Sequence, residues 1–151
     1  MLPRPDAATW QEIGYYPLCP TEAGKALMAW PTEVYQWHRE GFDLPCGCTL
    51  LAEGESFPNQ AFQVGPAAYG IQFHPELTLA MLHRWTTRGA ERFELPGAQG
   101  RPHHFEGRAL YDAQTRLWLE RFLDLWLDPA RHAGSSAIGS RPQSLPSVAA
   151  E

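Results

Sequence analysis

Short apolar runs separated by turn-forming residues dominate the first half of the chain, and this pattern predicts β-strands. Four such runs are rich in β-branched or aromatic side chains and are bounded by Pro, Gly, Asn or Ser: residues 13–16, 34–38, 49–52 and 61–64. In the run 34–38, Tyr35 and Trp37 fall on one face, whereas Gln36 and His38 fall on the other. Strands this close in sequence predict an antiparallel or mixed sheet edge next to a parallel core.

Helical spacing of apolar residues characterises the second half. It extends over residues 79–88, where Gly89 marks the end, and over residues 113–127, where Asp112 is a candidate N-cap. The predicted core stripe of the second helix consists of Leu119, Phe122, Leu123, Trp126 and Leu127. Thr21 is expected to cap a short helix that reaches Ala29, and residues 101–107 are predicted to be irregular.

The strand and helix signals together extend over residues 12–128, which are expected to form one α/β domain. Residues 1–11 show no periodicity and are expected to form a loose lead-in. Residues 129–151 contain mainly Ala, Gly, Ser and Pro, with almost no large apolar side chains, and are expected to form a disordered tail.

Composition narrows the function classes. At 151 residues and 44% hydrophobic content, the chain is long enough for one soluble domain with a sizeable core. The net charge of −5 with scattered arginines gives no footprint for nucleic acid, and no apolar run approaches the length of a signal peptide core or a membrane span. The 3 cysteines have irregular spacing, which is typical of thiols in a reducing compartment, so the chain is predicted to be cytoplasmic.

The candidate chemistry lies where residues 67–73, predicted to form a buried strand, run into His74, Pro75 and Glu76. Pro75 lacks an N–H and favours extended geometry before it, so His74 is expected at the end of a central strand. Glu76 is close enough in sequence to accept a hydrogen bond from one imidazole nitrogen and leave the other for proton transfer. The alternative is a histidine and a glutamate that only satisfy each other.

The residues around this pair resemble class I glutamine amidotransferases of the GMP-synthase-like branch. The run YGIQFHPE at residues 69–76 is similar to the family strand that carries the catalytic His and Glu. Further similar segments occur in the expected order: EIGYYP at 12–17, VYQWH at 34–38, FDLP at 42–45 and PNQAF at 58–62. The resemblance extends roughly from Glu12 to Leu127.

The resemblance implies that His74 and Glu76 are catalytic, that His38 borders the glutamine pocket, and that the substrate is glutamine. For His38, a structural histidine held by its neighbours is an equal alternative. The family nucleophile lies in a Gly-x-Cys-x-Gly turn that precedes all of these segments, and this sequence contains no such turn. The implied fold is therefore the C-terminal part of a flavodoxin-like domain, an incomplete mixed sheet flanked by helices. Such a chain is expected to be inactive alone and to need an N-terminal half-domain, with a synthetase as a further possible partner.

Two other functions are compatible with the residues. One is a non-catalytic amidotransferase-like domain that binds a partner, and the other is an unrelated hydrolase that uses His74 and Glu76 with a metal or water. Adjacent His103 and His104 do not predict a metal site, because no carboxylate or cysteine follows at ligand spacing. No metal and no cofactor are expected.

Overall fold

The computed structural model describes residues 10–128 and 130, so most of the predicted lead-in and tail lies outside the described residues. The described part contains six strands, β1 Glu12–Pro17, β2 Cys19–Pro20, β3 Glu33–His38, β4 Cys48–Glu53, β5 Ala61–Val64 and β6 Ala68–Ile71. Its helices are α1 Glu22–Leu27, α2 Leu79–Arg88 and α3 Arg101–Leu127, with a 3₁₀ segment at Ala90–Glu94. Of the predicted lead-in, Gln11 is fastened by its N–H to the carbonyl of Pro96, 3.0 Å away.

The strands form two sheets flanked by helices, which confirms the α/β class. β1 pairs with β3, and the second sheet has the order β2-β4-β5-β6. All pairs between these named strands are antiparallel, and a single parallel bridge joins Ile13 to Ala98. The described strands thus resemble the predicted antiparallel edge more closely than a parallel core.

Two apolar clusters hold the helices to the sheets. The first is centred on Tyr15, Tyr35, Leu77 and Leu82, with Trp37 and Trp85 packed against it. The second contains Val34, Leu51, Phe73, Trp118 and Phe122 among its buried members. Because Tyr111 packs against the first cluster and Trp118 belongs to the second, α3 spans both.

Helix α3 is longer than predicted, because residues 101–107 form its first two turns. Gly100 is the N-cap and Pro102 lies in the first turn, a position that a residue without an N–H tolerates. Asp112 is consequently inside the helix, where it pairs with Arg108 at 3.0 Å, and is not an N-cap. His104 is fully buried, which the predicted irregular loop did not anticipate.

The core stripe of α3 also differs from the prediction. Trp118 and Phe122 are buried, whereas Leu123 is 37% exposed and Leu127 is 67% exposed. The helix begins a dozen residues earlier than expected. His104 and Gly107 in its first turns contact the sheet, and these contacts decide which side of the helix is buried. The side with the most leucines is therefore not the buried one. Leu110 and Leu117 are also exposed, although both are large and apolar.

The predicted caps of α1 and α2 agree with the structure. The Thr21 hydroxyl accepts a hydrogen bond from Gly24 N and caps α1, which ends at Leu27 rather than Ala29. Gly89 caps α2. Within residues 10–128 and 130, no helix is both long and apolar enough to cross a membrane. The same residues contain no group of three or more His, Cys, Asp and Glu side chains that could hold a metal ion.

The close contact of α3 with β1 yields a first prediction, for Gly107→Ala. Alanine favours a helix over glycine by about 1 kcal/mol. However, an ideal Cβ at residue 107 would lie 2.3 Å from a ring carbon of Tyr15, a buried ring packed between Tyr35 and Tyr111. Overpacking of this kind costs about 1–3 kcal/mol. We expect urea unfolding to show a net loss of stability.

A double-mutant cycle with Tyr15→Leu provides the control for Gly107→Ala. The smaller side chain removes the atoms that the new Cβ would meet, so the cost of Gly107→Ala should shrink in the Tyr15→Leu background. An increase in the free energy of unfolding for Gly107→Ala alone would contradict this account of the contact.

The buried His104 yields a second prediction, on pH. Burial lowers the pKa of His104 in the folded chain, whereas the unfolded side chain titrates near about 6.5. As the pH falls through about 6.5, the unfolded state gains a proton that the folded state does not, so stability decreases toward acid. His104→Gln should flatten the dependence of the free energy of unfolding between about pH 7 and pH 5, by at most about 1.4 kcal/mol per pH unit.

His103→Gln is the matched control for His104→Gln, because His103 is the exposed neighbour in the same helical turn. Its pH profile should match that of the unmodified chain. Equal slopes for all three chains would show that His104 does not control acid stability.

Candidate functional site

His74 lies three residues beyond the end of β6, and β6 pairs only with β5 among the described strands. The expectation of a histidine at the end of a central strand is therefore wrong in detail. The backbone nevertheless continues to pair beyond β6. Gln72 N donates to Gln60 O at 2.8 Å, and His74 N donates to Tyr35 O at 2.9 Å. The segment thus crosses from the β5 side to β3, and His74 is held where this crossing ends.

His74 and Glu76 are brought together. His74 Nδ1 lies 2.8 Å from Glu76 Oε1, and a carboxylate acceptor assigns the proton to Nδ1. Nε2 has no hydrogen-bond partner among the described residues. The side chain of His74 is 30% exposed and that of Glu76 is 52% exposed, so the pair is accessible from the surface. A histidine oriented in this way can accept a proton at Nε2 while the carboxylate balances the resulting charge.

The turn that follows His74 is fastened at several points. The His74 ring contacts the edge of Trp85 in α2, with centroids 4.9 Å apart. Leu77 N donates to His74 O at 3.4 Å, and Arg108 Nη1 in α3 donates to Leu77 O at 3.1 Å. Thr78 then caps α2 by accepting from Met81 N. Sequence reasoning missed Arg108, because nothing in the spacing of residues 74 and 108 indicates that they lie near each other.

The acceptor of the His74 N–H is itself held by a buried chain of hydrogen bonds. Tyr35 OH lies 2.9 Å from His104 Nδ1, and His104 Nε2 lies 2.9 Å from Gln99 O. Because a carbonyl can only accept a hydrogen bond, His104 donates from Nε2 to Gln99 O. Its Nδ1 then accepts a hydrogen bond from the Tyr35 hydroxyl. Burial lowers the pKa of His104 and raises the pKa of Tyr35, which favours the neutral form of both groups.

His38 is placed on the other face of β3. Trp37 and Tyr35 face Trp85 and thus the side where His74 packs, whereas Gln36 and His38 alternate with them. His38 Nε2 lies 3.2 Å from the buried Glu12 Oε2, at ion-pair distance but without hydrogen-bond alignment. Gln60 joins the same cluster by donating to Glu12 Oε2 at 3.1 Å. The structure therefore does not bring His38 into contact with His74 or Glu76.

A backbone carbonyl nevertheless links His38 to the segment that carries His74. Glu40 O lies 3.1 Å from His38 Nδ1 and 3.0 Å from Gln72 Nε2. Gln72 precedes His74 by two residues. The Glu40 carbonyl therefore holds both His38 and the segment that carries His74, although the two histidines do not contact each other.

Neither the cysteines nor the cleft between β1 and α3 belongs to the pair. Cys19 and Cys46 are exposed, Cys48 is partly buried, and all three are free thiols. The ring of His74 contacts Glu76 and Trp85, and none of these thiols takes part. A cleft of about 490 Å³ is lined by Tyr15, Glu33, Gln99, His103, Glu106 and Tyr111, and not by His74 or Glu76.

Comparison with known proteins identifies relatives of one kind. The glutamine amidotransferase-like protein YfeJ of Salmonella typhimurium is 36% identical over 122 residues, which are 76% of this chain and 50% of that protein. No protein-family model matches the sequence. The chain thus spans about half the length of this curated relative.

Solved structures share the fold. A glutamine amido transferase from Methylobacillus flagellatus matches with a TM-score of 0.71 and 23% identity, over 78% of this chain and 52% of that one. A glutamine amidotransferase from Thermotoga maritima matches with a TM-score of 0.54 and 25% identity, over 82% of this chain and 52% of that one. Over the half that it shares with these relatives, the chain is similar to glutamine amidotransferase-like proteins in sequence and to solved glutamine amidotransferases in fold.

Proposed function

We propose that this chain is the His/Glu-bearing half of a class I glutamine amidotransferase, which hydrolyses the side-chain amide of glutamine to glutamate and ammonia. One observation carries the proposal. His74 Nδ1 is bonded to Glu76 at 2.8 Å, and Nε2 is left without a partner among the described residues. This is the arrangement that a proton-shuttling histidine needs when a nucleophile approaches Nε2.

In the proposed reaction, His74 Nε2 takes the proton of a cysteine thiol, and the thiolate attacks the amide carbon of glutamine. His74 then returns the proton to the amide nitrogen as the C–N bond breaks and ammonia leaves. Water, deprotonated by the same nitrogen, hydrolyses the resulting thioester to glutamate. Glu76 orients the ring throughout and stabilises the imidazolium that forms twice in the cycle.

The nucleophile is proposed to come from residues outside this chain. The sequence contains no Gly-x-Cys-x-Gly turn, and its cysteines take no part in the contacts of His74. The chain also spans about half of its relatives. The proposed partner is therefore an N-terminal half-domain that carries the cysteine, with an ammonia-accepting synthetase as a further partner.

The exposed face of α3 supports an incomplete domain. Leu110 is 71% exposed and Leu117 is 47% exposed, one heptad apart on the same side of the helix. Full burial of a leucine contributes about 1.5–3 kcal/mol, so such a pair favours association.

The free thiols fit a reducing compartment, and we propose the cytoplasm as the location.

Activity of the separate and the mixed halves tests this proposal. The 151-residue chain alone should release glutamate from glutamine at background rate, because loss of the nucleophile from such a triad lowers turnover by about a millionfold. Mixing it with the N-terminal half of a relative that carries the cysteine turn should create glutaminase activity, measured as glutamate and ammonia in equal amounts.

Variants of the mixture separate the proposed roles. His74→Gln should abolish the new activity, while His103→Gln on the exposed surface should leave it unchanged. His38→Asn tests the proposed pocket role, since a substrate contact would raise KM for glutamine and a purely structural histidine would lower thermal stability instead. Glutamate release by the chain alone that is lost in Cys46→Ser or Cys48→Ser would show that the nucleophile lies within this chain. Binding of the half without any activity would favour the non-catalytic domain.

Association of the chain alone provides a further prediction. The Leu110→Gln/Leu117→Gln double variant should reduce self-association in sedimentation velocity, because it removes the exposed apolar pair while keeping good helix formers. Ala109→Gln, which is exposed on the same helix but does not share the face of Leu110 and Leu117, is the control and should leave association unchanged. A chain that is a stable monomer with unchanged thermal unfolding on addition of the other half would contradict the incomplete-domain proposal.

A further inference from the structure

The turn from His74 to Thr78 depends on contacts from outside itself. Its internal hydrogen bond, from Leu77 N to His74 O, is long at 3.4 Å. At one end the turn is anchored to β3 through the 2.9 Å bond from His74 N to Tyr35 O. At the other end, before the cap of α2, Leu77 O accepts from Arg108 Nη1 at 3.1 Å.

Arg108 reaches this carbonyl from α3, 31 residues away in sequence. Its second terminal nitrogen, Nη2, lies 3.0 Å from Asp112 Oδ2, one helical turn further along α3. Both side chains are largely buried, at 21% and 32% exposure, so solvent screens the pair less than a surface ion pair. The planar guanidinium thus uses one nitrogen for the carboxylate and the other for the backbone carbonyl, and the carboxylate limits its rotation.

We propose that Arg108 is a positioning residue, held by Asp112, that sets the location of the His74–Glu76 pair through the Leu77 carbonyl. This inference rests on the proposed function, because it assigns Arg108 to the same site. Arg108 touches neither His74 nor Glu76 in the described contacts and acts on them through the turn alone. Without it, the turn keeps its anchor at Tyr35 and the burial of the Leu77 side chain, but it loses the hydrogen bond that fixes the Leu77 carbonyl.

The chain contains a matched control for this arginine. Arg116 lies two turns further along α3 and forms the same kind of pair, with Glu120 at 3.4 Å. Its side chain is 78% exposed, and its described contacts do not include the turn. Arg108→Met and Arg116→Met therefore remove the same charge and the same type of i,i+4 pair from one helix, and only the first removes a bond to the turn.

Amide hydrogen exchange of the full chain, without glutamine or any other protein, is the first readout. Loss of a charge-assisted hydrogen bond shifts a local opening equilibrium by about tenfold. Arg108→Met should lower the protection of the His74 and Leu77 amides by about tenfold, while the Leu82 amide in α2 is unchanged. Arg116→Met should change none of them, and Arg108→Lys should restore part of the protection.

The ring of His74 gives a second readout that a general loss of stability would not change. The Nδ1–H held by Glu76 should be seen in the ¹H–¹⁵N spectrum of the unmodified chain and of Arg116→Met. It should broaden or vanish in Arg108→Met through faster exchange with water. If Arg108→Met fails to fold, Asp112→Asn is the substitute, because it removes the carboxylate that limits the rotation of the guanidinium but retains Arg108. The protection of the His74 and Leu77 amides and the Nδ1–H signal should then change in the same direction.

The outcomes separate this proposal from the proposed function. Equal protection and equal ring signals in Arg108→Met and Arg116→Met would overturn it, as would a uniform loss of protection across the chain. If the mixed halves are active, Arg108→Met should lower kcat by about tenfold or more with little change in KM. If the mixed halves are inactive, the proposed function fails, while the exchange and ring signals still report whether Arg108 holds the turn.

Discussion

The backbone carbonyl of Tyr35 is the point on which the candidate site depends. It accepts the N–H of His74, and the same residue is fixed by the hydrogen bond of its hydroxyl to His104 in α3. Its ring packs against Tyr15, Trp37 and Trp85, so β1, β3 and α2 all bear on it. His74, which lies at the surface, is thereby held by a hydrogen bond to a buried residue that has almost no freedom to move.

The site combines a rigid support with an exposed reactive end. The buried chain from Tyr35 through His104 to Gln99 is neutral and satisfied, which avoids the cost of an unpaired polar group in the core. His74 and Glu76, in contrast, remain accessible to solvent. Preorganisation of this kind suits the proposed role of His74, since the orientation of the ring is set before a nucleophile or a substrate binds.

The two faces of β3 carry different kinds of side chain and contact different parts of the structure. On one face the aromatic cluster supports His74, and on the other Glu12, Gln36, His38 and Gln60 form a buried polar cluster between the two sheets. A carboxylate that is 2% exposed, as Glu12 is, is stabilised only if its neighbours supply hydrogen bonds and opposite charge. Gln60 donates such a bond, and His38 Nε2 lies 3.2 Å from the same carboxylate oxygen, so His38 packs in this cluster whatever its relation to glutamine.

The sequence by itself determined the local features. Pro75 after an apolar run, Glu76 two residues beyond His74 and the resemblance of residues 69–76 to the family strand together predict the contact of His74 with its carboxylate. Side chains two residues apart in sequence are close enough to meet across a turn, so this contact leaves a local signal. Strand alternation likewise separated Trp37 from His38, and Thr21 and Gly89 capped their helices through bonds within a few residues. The tertiary structure decided everything that joins distant segments. Only the packing of α3 on β1 showed that Gly107 and His104 are buried, that the helix starts at Arg101, and that Leu123 and Leu127 face outward. It also brought Arg108 to Leu77, because hydrogen bonds between segments far apart in sequence leave no periodic signal in the chain.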